Sequence, residues 1–147
     1  MMRYYYKLSK SIWIISLIVS LVLVIAAKAV FQLGTVYGYV IGTLLASVLI
    51  ISFGLMPIYL EEDERKYKLR LTFFSINLNK ADYSTIQISP DEFDRSIRTF
   101  GSGGLFGFTG MFYSKQMGHY RAFIANPNRP LLLLTKGNKK IIINAPN

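Results

Sequence analysis

The sequence predicts a membrane-embedded α-helical hairpin followed by a mainly-β domain with two antiparallel sheets. The segment 11–60 contains one charged side chain, that of Lys28, and is otherwise apolar or neutral. From Tyr67 onward, apolar and polar residues alternate with the period of two that is typical of half-buried strands. We therefore assign residues 1–60 to an N-terminal flank and two transmembrane helices, and residues 61–147 to the β domain.

Charge and composition restrict the classes of partner. The chain has 147 residues, 17 basic and 8 acidic side chains, a net charge of +9 and no cysteine. A basic protein suits anionic lipid surfaces or nucleic acid, and the apolar segments favour lipid. Nucleic-acid binding is not expected, because aromatic and basic side chains interleave only weakly. Without cysteine, disulfides, thiolate metal sites and a cysteine nucleophile are excluded.

The N-terminal flank combines cations with aromatic rings. Arg3, Lys7 and Lys10 surround the tyrosine triplet 4–6, and the headgroup region of the cytoplasmic leaflet accommodates such residues. This composition predicts a cytoplasmic N-terminus. The competing interpretation is a cleavable signal peptide, because the small residues around Lys28 resemble a cleavage site.

Two segments have the length of a membrane-spanning helix. About 20 apolar residues cross a hydrocarbon layer of roughly 30 Å, and the segments of about 11–30 and 35–59 meet this requirement. The connection between them carries few charges, whereas several basic residues follow the second span between Arg65 and Arg70. By the positive-inside rule, the N-terminus and the β domain both face the cytoplasm of a multi-pass inner-membrane protein.

Small residues recur every four positions along the second span, at Gly34, Gly38, Gly42 and Ala46. Helices in lipid adhere where small side chains let their backbones approach closely. Two interpretations of this glycine strip stay open. Either the two helices of the chain pack along it, with Ser16 and Ser20 of the first span opposite, or it is a seam for a second copy or a larger membrane complex.

The inner end of the second span is predicted to bend and then to enter solvent. Gly54 and Pro57 predict the bend, because proline lacks a backbone donor and crowds the preceding turn. The acidic run 61–64 and the cations Arg65 and Lys66 have i, i+4 order, which predicts a solvated helix end. A metal site is not expected there, because helical spacing would splay the carboxylates.

The period of two predicts a series of short strands in the β domain. The apolar parity changes at Phe73 and Phe74, which indicates a bulge or a tight reversal. The Ser-Pro-Asp-Glu sequence at 89–92 predicts one or two helical turns, and Gly-Asn at 137–138 is typical of a hairpin turn. The predicted strands are 67–73, 74–78, 85–89, 97–100, 110–114, 119–125, 131–135 and 140–144.

The segment 101–110 contains five of the eleven glycines. It matches neither a P-loop nor a dinucleotide fingerprint, whose last glycine is replaced by Phe106. Two interpretations stay open: the glycines kink a pair of strands whose aromatic rings fill the core, or Phe106 and Phe108 enter the bilayer interface beside basic side chains. The candidate residues for contact with a lipid or a protein partner are Arg98, Gly101, Gly103, Gly104, Phe106, Phe108, Lys115, Lys139 and Lys140.

Several features of the β domain occur together, namely the run 98–110, Gly118, Tyr120, Arg121, Ala122, the turn 126–130 and the apolar strands 131–135 and 141–143. This combination resembles the PH-like domain families of small bacterial membrane proteins. The resemblance implies two roughly orthogonal antiparallel sheets in an open barrel with little or no C-terminal helix. The end that such a helix would close is then expected to be covered by the helical segment after Ser89 or by a partner.

No catalytic constellation is predicted. His119 is the only histidine and has no carboxylate or nucleophile at an informative spacing, and a helix start explains the acidic residues near Asp91. We expect a non-catalytic, membrane-anchored PH-like domain protein, without cofactor or metal, that binds a protein or lipid partner at the inner membrane surface. The expected partners are membrane lipids and a protein partner or a second copy. The alternative is an accessory subunit of a larger membrane complex, assembled through the glycine strip.

Overall fold

The computed structural model describes residues 2–146, which form two long α-helices, one short α-helix, a single 3-10 turn at Lys80–Asp82 and ten strands. The helices are α1 (Lys10–Phe31), α2 (Val36–Gly54) and α3 (Pro90–Asp94). The strands are β1 (Met2–Tyr5), β2 (Pro57–Glu62), β3 (Lys66–Leu71), β4 (Ser75–Asn79), β5 (Ser84–Ile88), β6 (Ile97–Gly103), β7 (Phe108–Ser114), β8 (Gly118–Ile124), β9 (Leu131–Lys136) and β10 (Lys139–Asn144).

The strands form two sheets, which do not close into a barrel in the described part of the chain. The first sheet has the order β1-β2-β3-β4 and is antiparallel throughout. The second has the order β5-β9-β10-β8-β7-β6 and is antiparallel except between β10 and β8. The prediction of two antiparallel sheets is wrong at this pair. The chain reverses after β8 to form β9 and reverses again at Gly137, so β10 enters the gap between them parallel to β8.

The predicted strand segments are confirmed as β3 to β10, with boundaries that differ by a few residues. A hairpin between β3 and β4 accounts for the parity change at Phe73 and Phe74, because the chain reverses there. The Gly-Asn turn at 137–138 joins β9 to β10, with Gly137 at φ 55°.

The central strands of the second sheet contribute buried side chains on both faces. One face packs against the first sheet, where Leu60 and Leu69 meet Leu134. The opposite face lies beneath α3, and the rings of Phe93 and Phe112 pack with their centroids 5.4 Å apart. The short helix after Ser89 therefore covers a face of the second sheet.

Both long helices have the length and composition of membrane-spanning helices. They contain 22 and 19 residues, and most of their side chains are exposed and apolar. The second helix ends at Gly54, before the predicted boundary at residue 59. The predicted bend is wrong because Pro57, which cannot donate a helical hydrogen bond, already belongs to β2.

The N-terminal flank is part of the β domain. Strand β1 pairs with β2, and Arg3 lies opposite Glu61. Glu61 forms ion pairs with Arg3 and Lys68. The predicted solvated helix end at the acidic run is wrong, because β2 begins at Pro57 and the first carboxylate of the run lies inside a sheet.

Both ends of the helical hairpin enter the first sheet. Strand β1 leads into α1 and β2 follows α2, so the flank and the β domain lie on the same side of the hairpin. Cleavage near Lys28 would remove β1 and its contacts with β2. The domain boundary near residue 60 that the sequence indicated thus runs through a strand.

Candidate functional site

The glycine-rich segment forms the bent hairpin of β6 and β7. Gly101 and Gly110 face each other across the two strands, with φ of 105° and 133°. A Cβ on Gly110 would lie 2.2 Å from the carbonyl oxygen of Phe100, so no side chain fits there. This close approach is the geometry of a glycine-kinked strand pair.

The tip of this hairpin docks on α1. The hydroxyl of Ser16 donates to the carbonyl oxygen of Gly104 at 3.2 Å and accepts from the backbone N–H of Phe106 at 2.7 Å. Ser16 is only 3% exposed, and the ring of Phe106 packs edge-on against Phe53 of α2 with centroids 5.4 Å apart. Ser16 thus binds the β6–β7 tip, which differs from its predicted place opposite the glycine strip.

A second hairpin tip, between β3 and β4, meets the end of α2. The N–H of Phe73 donates to the carbonyl oxygen of Gly54 at 3.2 Å, and its ring covers that glycine so closely that a Cβ would lie 2.2 Å from Cδ2. Phe73 and Phe74 are nevertheless 59% and 45% exposed. Aromatic rings from two hairpins therefore surround the junction between the helices and the sheets.

The structure separates the candidate contact residues into two groups. Phe106 lies at the helix junction and Phe108 packs against Phe93 in the core, with centroids 5.4 Å apart. Lys115 follows the end of β7 opposite to Phe108. At roughly 3.3 Å per residue the two residues lie about 20 Å apart. Lys139 lies at that same far end, because β10 starts there beside β8. The side chains of Lys115 and Lys139 are therefore not beside Phe106.

The remaining candidates have local structural contacts. The guanidinium of Arg98 lies over Gly103, where a Cβ would lie 2.9 Å from Nη1. Gly104 is the acceptor for Ser16, and Lys140 donates to the carbonyl oxygen of Met117 at 2.6 Å.

The glycine strip is largely occupied by the chain itself. Gly34 lies in the turn between the helices with φ 62°. A Cβ on Gly38 would lie 2.6 Å from the carbonyl oxygen of Val30, and one on Gly42 would lie 2.8 Å from the ring of Phe31. This geometry favours the interpretation in which the two helices of one chain pack together.

A basic groove of about 430 Å³ lies between the two sheets, at the end away from the helices. Met111, Arg121 and Ile141 form one row across β7, β8 and β10, and His119 and Lys139 precede that row by two residues on the same strands. By the two-residue period, these side chains share the face that packs on the first sheet. The lining residues are Ile76, Asn77, Leu78, Tyr83, Met111, His119, Tyr120, Arg121, Asn138, Lys139, Lys140 and Ile141.

The basic groove combines an apolar floor with cations. It contains the side chains of Arg121 and Lys139 and the imidazole of His119, which packs on Tyr113 with ring centroids 4.9 Å apart. None of its lining residues is acidic. Sequence reasoning did not assign His119 and Arg121 to a site. The alternation along β8 places them on one face, but their alignment with Lys139 depends on the pairing of β8 with β10.

An ion-pair cluster fixes β1 at the edge of the first sheet. Two nitrogens of Arg3 donate to Oε1 of Glu61, at 2.9 Å and 2.5 Å, and Nζ of Lys68 lies 3.6 Å from Oε2. The hydrogen bonds from Arg3, assisted by its charge and that of Lys68, hold the pKa of Glu61 below its usual value against the opposing effect of desolvation. The adjacent Tyr6 hydroxyl donates to the carbonyl oxygen of Asn144 at 2.8 Å, and burial raises the pKa of Tyr6.

Within residues 2–146, no group of three histidine, aspartate or glutamate side chains is arranged to hold a metal ion. Comparisons with protein-family models, with curated proteins and with solved structures find no match to this chain.

Proposed function

We propose that this protein is a non-catalytic, membrane-anchored binding protein whose basic groove holds an acidic segment of a protein partner. The helical hairpin crosses the inner membrane twice, and the positive-inside rule places both of its sheet-connected ends in the cytoplasm. The β domain then presents its groove to the cytoplasm, at the end of the sheets that points away from the helices.

The observation that carries this proposal is the composition of the groove. Its volume of about 430 Å³ lies within the usual range for ligand sites. The apolar residues of its floor suit aliphatic side chains, while Arg121 and Lys139 at its walls suit carboxylates. Bilayer lipid is the less suitable ligand here, because the groove lies at the opposite end of the strands from the helices.

The PH-like assignment is part of this proposal. Two stacked sheets with an open end and the glycine-kinked hairpin support it. The parallel pair β8–β10 and the N-terminal strand β1 are departures from the fold that the resemblance implies.

An acidic amphipathic peptide tests the groove. The full-length protein in nanodiscs of zwitterionic lipid is titrated into a fluorescein-labelled peptide of alternating glutamate and leucine, and binding is followed by anisotropy. We expect binding that weakens with salt and that falls at least about tenfold, or about 1.4 kcal/mol, in the variant Arg121→Glu with Lys139→Glu.

The matched control carries the same change of charge outside the groove, at Arg95→Glu and Lys115→Glu, and we expect it to bind the peptide nearly as well as the parent. Equal binding of a peptide with lysine in place of glutamate would contradict the proposal, as would equal losses in the two variants.

Reporter fusions test the orientation of the helical hairpin in the membrane. A reporter that is active only in the cytoplasm is fused after Asn147, and the same fusion is made after Gly34 in the turn between the helices. We expect activity from the first fusion and not from the second. The reverse pattern, in fusions of equal abundance, would refute the cytoplasmic placement.

One observation favours the accessory-subunit alternative. Ala46, the last member of the glycine strip, lines an open apolar groove of about 590 Å³ between α1 and α2, together with Leu23 and Leu49. A transmembrane helix of a partner would fill such a groove by close packing. Because the chain has no cysteine, single-cysteine variants at Leu49 and, as a control on another face, at Val40 report on it. Crosslinks to a different protein from Leu49 alone would support this alternative.

A further inference from the structure

A cavity of about 570 Å³ lies where the N-terminal flank joins α1. It is separate from the basic groove, because its lining comes from the end of the flank, the first turns of α1 and the residue that precedes β2. The lining residues are Tyr6, Lys7, Leu8, Lys10, Trp13, Ile14 and Met56.

We call this space the neck cavity. The part of it that the N-terminal flank and the first residue of α1 form is cationic. Lys7 and Lys10 are both exposed, and neither takes part in an ion pair within the described residues. No acidic residue lines the cavity. Two lysine side chains that line one cavity without a carboxylate form a binding point for a phosphate group.

The part of the neck cavity that Trp13 and Ile14 of α1 form is apolar, and it continues onto the surface of that helix. Trp13 and Ile14 are 58% and 52% exposed, and Leu17 and Ile18 extend the exposed apolar face along α1. Tryptophan is enriched where a membrane protein crosses the headgroup region. The order of side chains along the chain, cations first and hydrocarbon next, is the order of phosphate and acyl chain in a phospholipid.

We propose that the neck cavity binds one anionic glycerophospholipid, with its phosphate between Lys7 and Lys10 and an acyl chain along Trp13 and Ile14. This site rests on the membrane anchoring that the proposed function includes. It adds a second ligand, an anionic phospholipid, to the acidic protein segment that we propose for the basic groove.

Trp13 supplies the test, because it is the only tryptophan of the chain. The full-length protein is reconstituted with phosphatidylglycerol that carries brominated acyl chains or with phosphatidylcholine brominated in the same way, each diluted in unlabelled phosphatidylcholine. Bromine quenches tryptophan fluorescence at short range. We expect the anionic lipid to quench at a lower mole fraction, with a preference of up to about fivefold for each lysine.

The variant Lys7→Gln with Lys10→Gln is expected to lose this preference and to keep the quenching that both lipids share. The control Arg95→Gln with Lys115→Gln makes the same change of charge outside the neck cavity and the basic groove and is expected to keep the preference. A preference that survives in the Lys7 and Lys10 variant overturns the site.

Three further outcomes separate the possible failures. If inorganic phosphate at matched ionic strength abolishes the preference, the cavity binds free phosphate and the lipid assignment is wrong. If both lipids quench equally, the lipid site fails while the membrane anchoring stands. If neither lipid quenches, Trp13 is not at a bilayer and the anchoring itself fails.

Discussion

A single hydroxyl, that of Ser16, joins α1 to the tip of the β6–β7 hairpin. It satisfies one backbone donor and one backbone acceptor of a loop in which Phe106 adopts the uncommon positive φ of 59°. A buried backbone group without a partner is more costly than a lost exposed hydrogen bond. This serine is therefore one of the contacts that hold the β domain against the helices.

We expect Ser16→Ala to loosen the hairpin tip, because the N–H of Phe106 loses its acceptor at a cost of roughly 1–3 kcal/mol. Hydrogen exchange at Phe106 measures the effect. Ser20→Ala is the matched control one helical turn away, since the buried hydroxyl of Ser20 has no partner among the described residues. Equal effects of the two substitutions would argue against the docking contact.

We expect Gly110→Ala to destabilise the protein by roughly 3 kcal/mol, because a positive φ and a contact with the Phe100 carbonyl oxygen both oppose a side chain. Gly118→Ala is the comparison. Its φ of 71° is also unfavourable, but open space surrounds the position, so about 1 kcal/mol is expected. Thermal unfolding in detergent measures both losses of stability. Similar losses in the two variants would contradict the close approach of Gly110 to the carbonyl oxygen of Phe100.

At the scale of elements, the first sheet depends on a strand that is distant in sequence from its partner. Strands β3 to β10 follow from the alternation of apolar residues, which is a local pattern. The assignment of Met2–Tyr5 as β1 does not follow, because the residues that it pairs with lie beyond both long helices. The early end of α2 could not be predicted for a related reason. Residues 57–60 are apolar and adjoin the second span, and their pairing with β3 and with the distant strand β1 makes them part of a strand.

Prediction of the candidate site is also limited by contacts between residues that are distant in sequence. Sequence reasoning identified the glycine-rich hairpin and several of the cations, because composition alone marks them. It could not separate the helix junction from the basic groove, since Phe106 and Lys115 are near in sequence yet lie at opposite ends of β7. The row of Met111, Arg121 and Ile141 depends on non-local register.

We expect acid to release β1 from the first sheet. The pKa of Glu61 is lower in the folded protein than in the unfolded chain, so its stabilising effect is complete above the unfolded value of about 4.3 and disappears as the pH falls through the folded value. Hydrogen exchange of residues 2–5, corrected for intrinsic rates, measures the release between pH 6 and pH 3. The variant Glu61→Gln should show little dependence on pH over this range; a parent protein that behaves in the same way would disprove the assignment.

At the scale of the whole molecule, the helices and the β domain are interdependent. The N–H of Tyr6 donates to the carbonyl oxygen of Ile58 at 2.8 Å, so the chain segments that enter and leave the helical hairpin lie side by side. Two hairpin tips dock on the same helices, at Ser16 and at Gly54. The β domain is thus a continuation of the helices, held by several contacts in place of a single linker.

We expect a chain that begins at Glu61 to be poorly folded, because it lacks β1 and the fully buried Leu60. A chain in which residues 2–8 are joined by a short glycine-serine linker to residues 56–147 restores both and omits the helices. Dispersed amide resonances from the second chain and not from the first are the expected result. A well-folded first chain would show that β1 is dispensable.

The pairing of β1 with β2 also makes completion of the first sheet depend on the helical hairpin between the two strands. The ribosome delivers β1 first, yet its partner emerges only after both hydrophobic helices have been made. If only one of the two helices crossed a membrane, β1 and β2 would lie on opposite sides of it and could not pair. A chain in that state would lack the pairing of β1 with β2 and would expose the edge of β2.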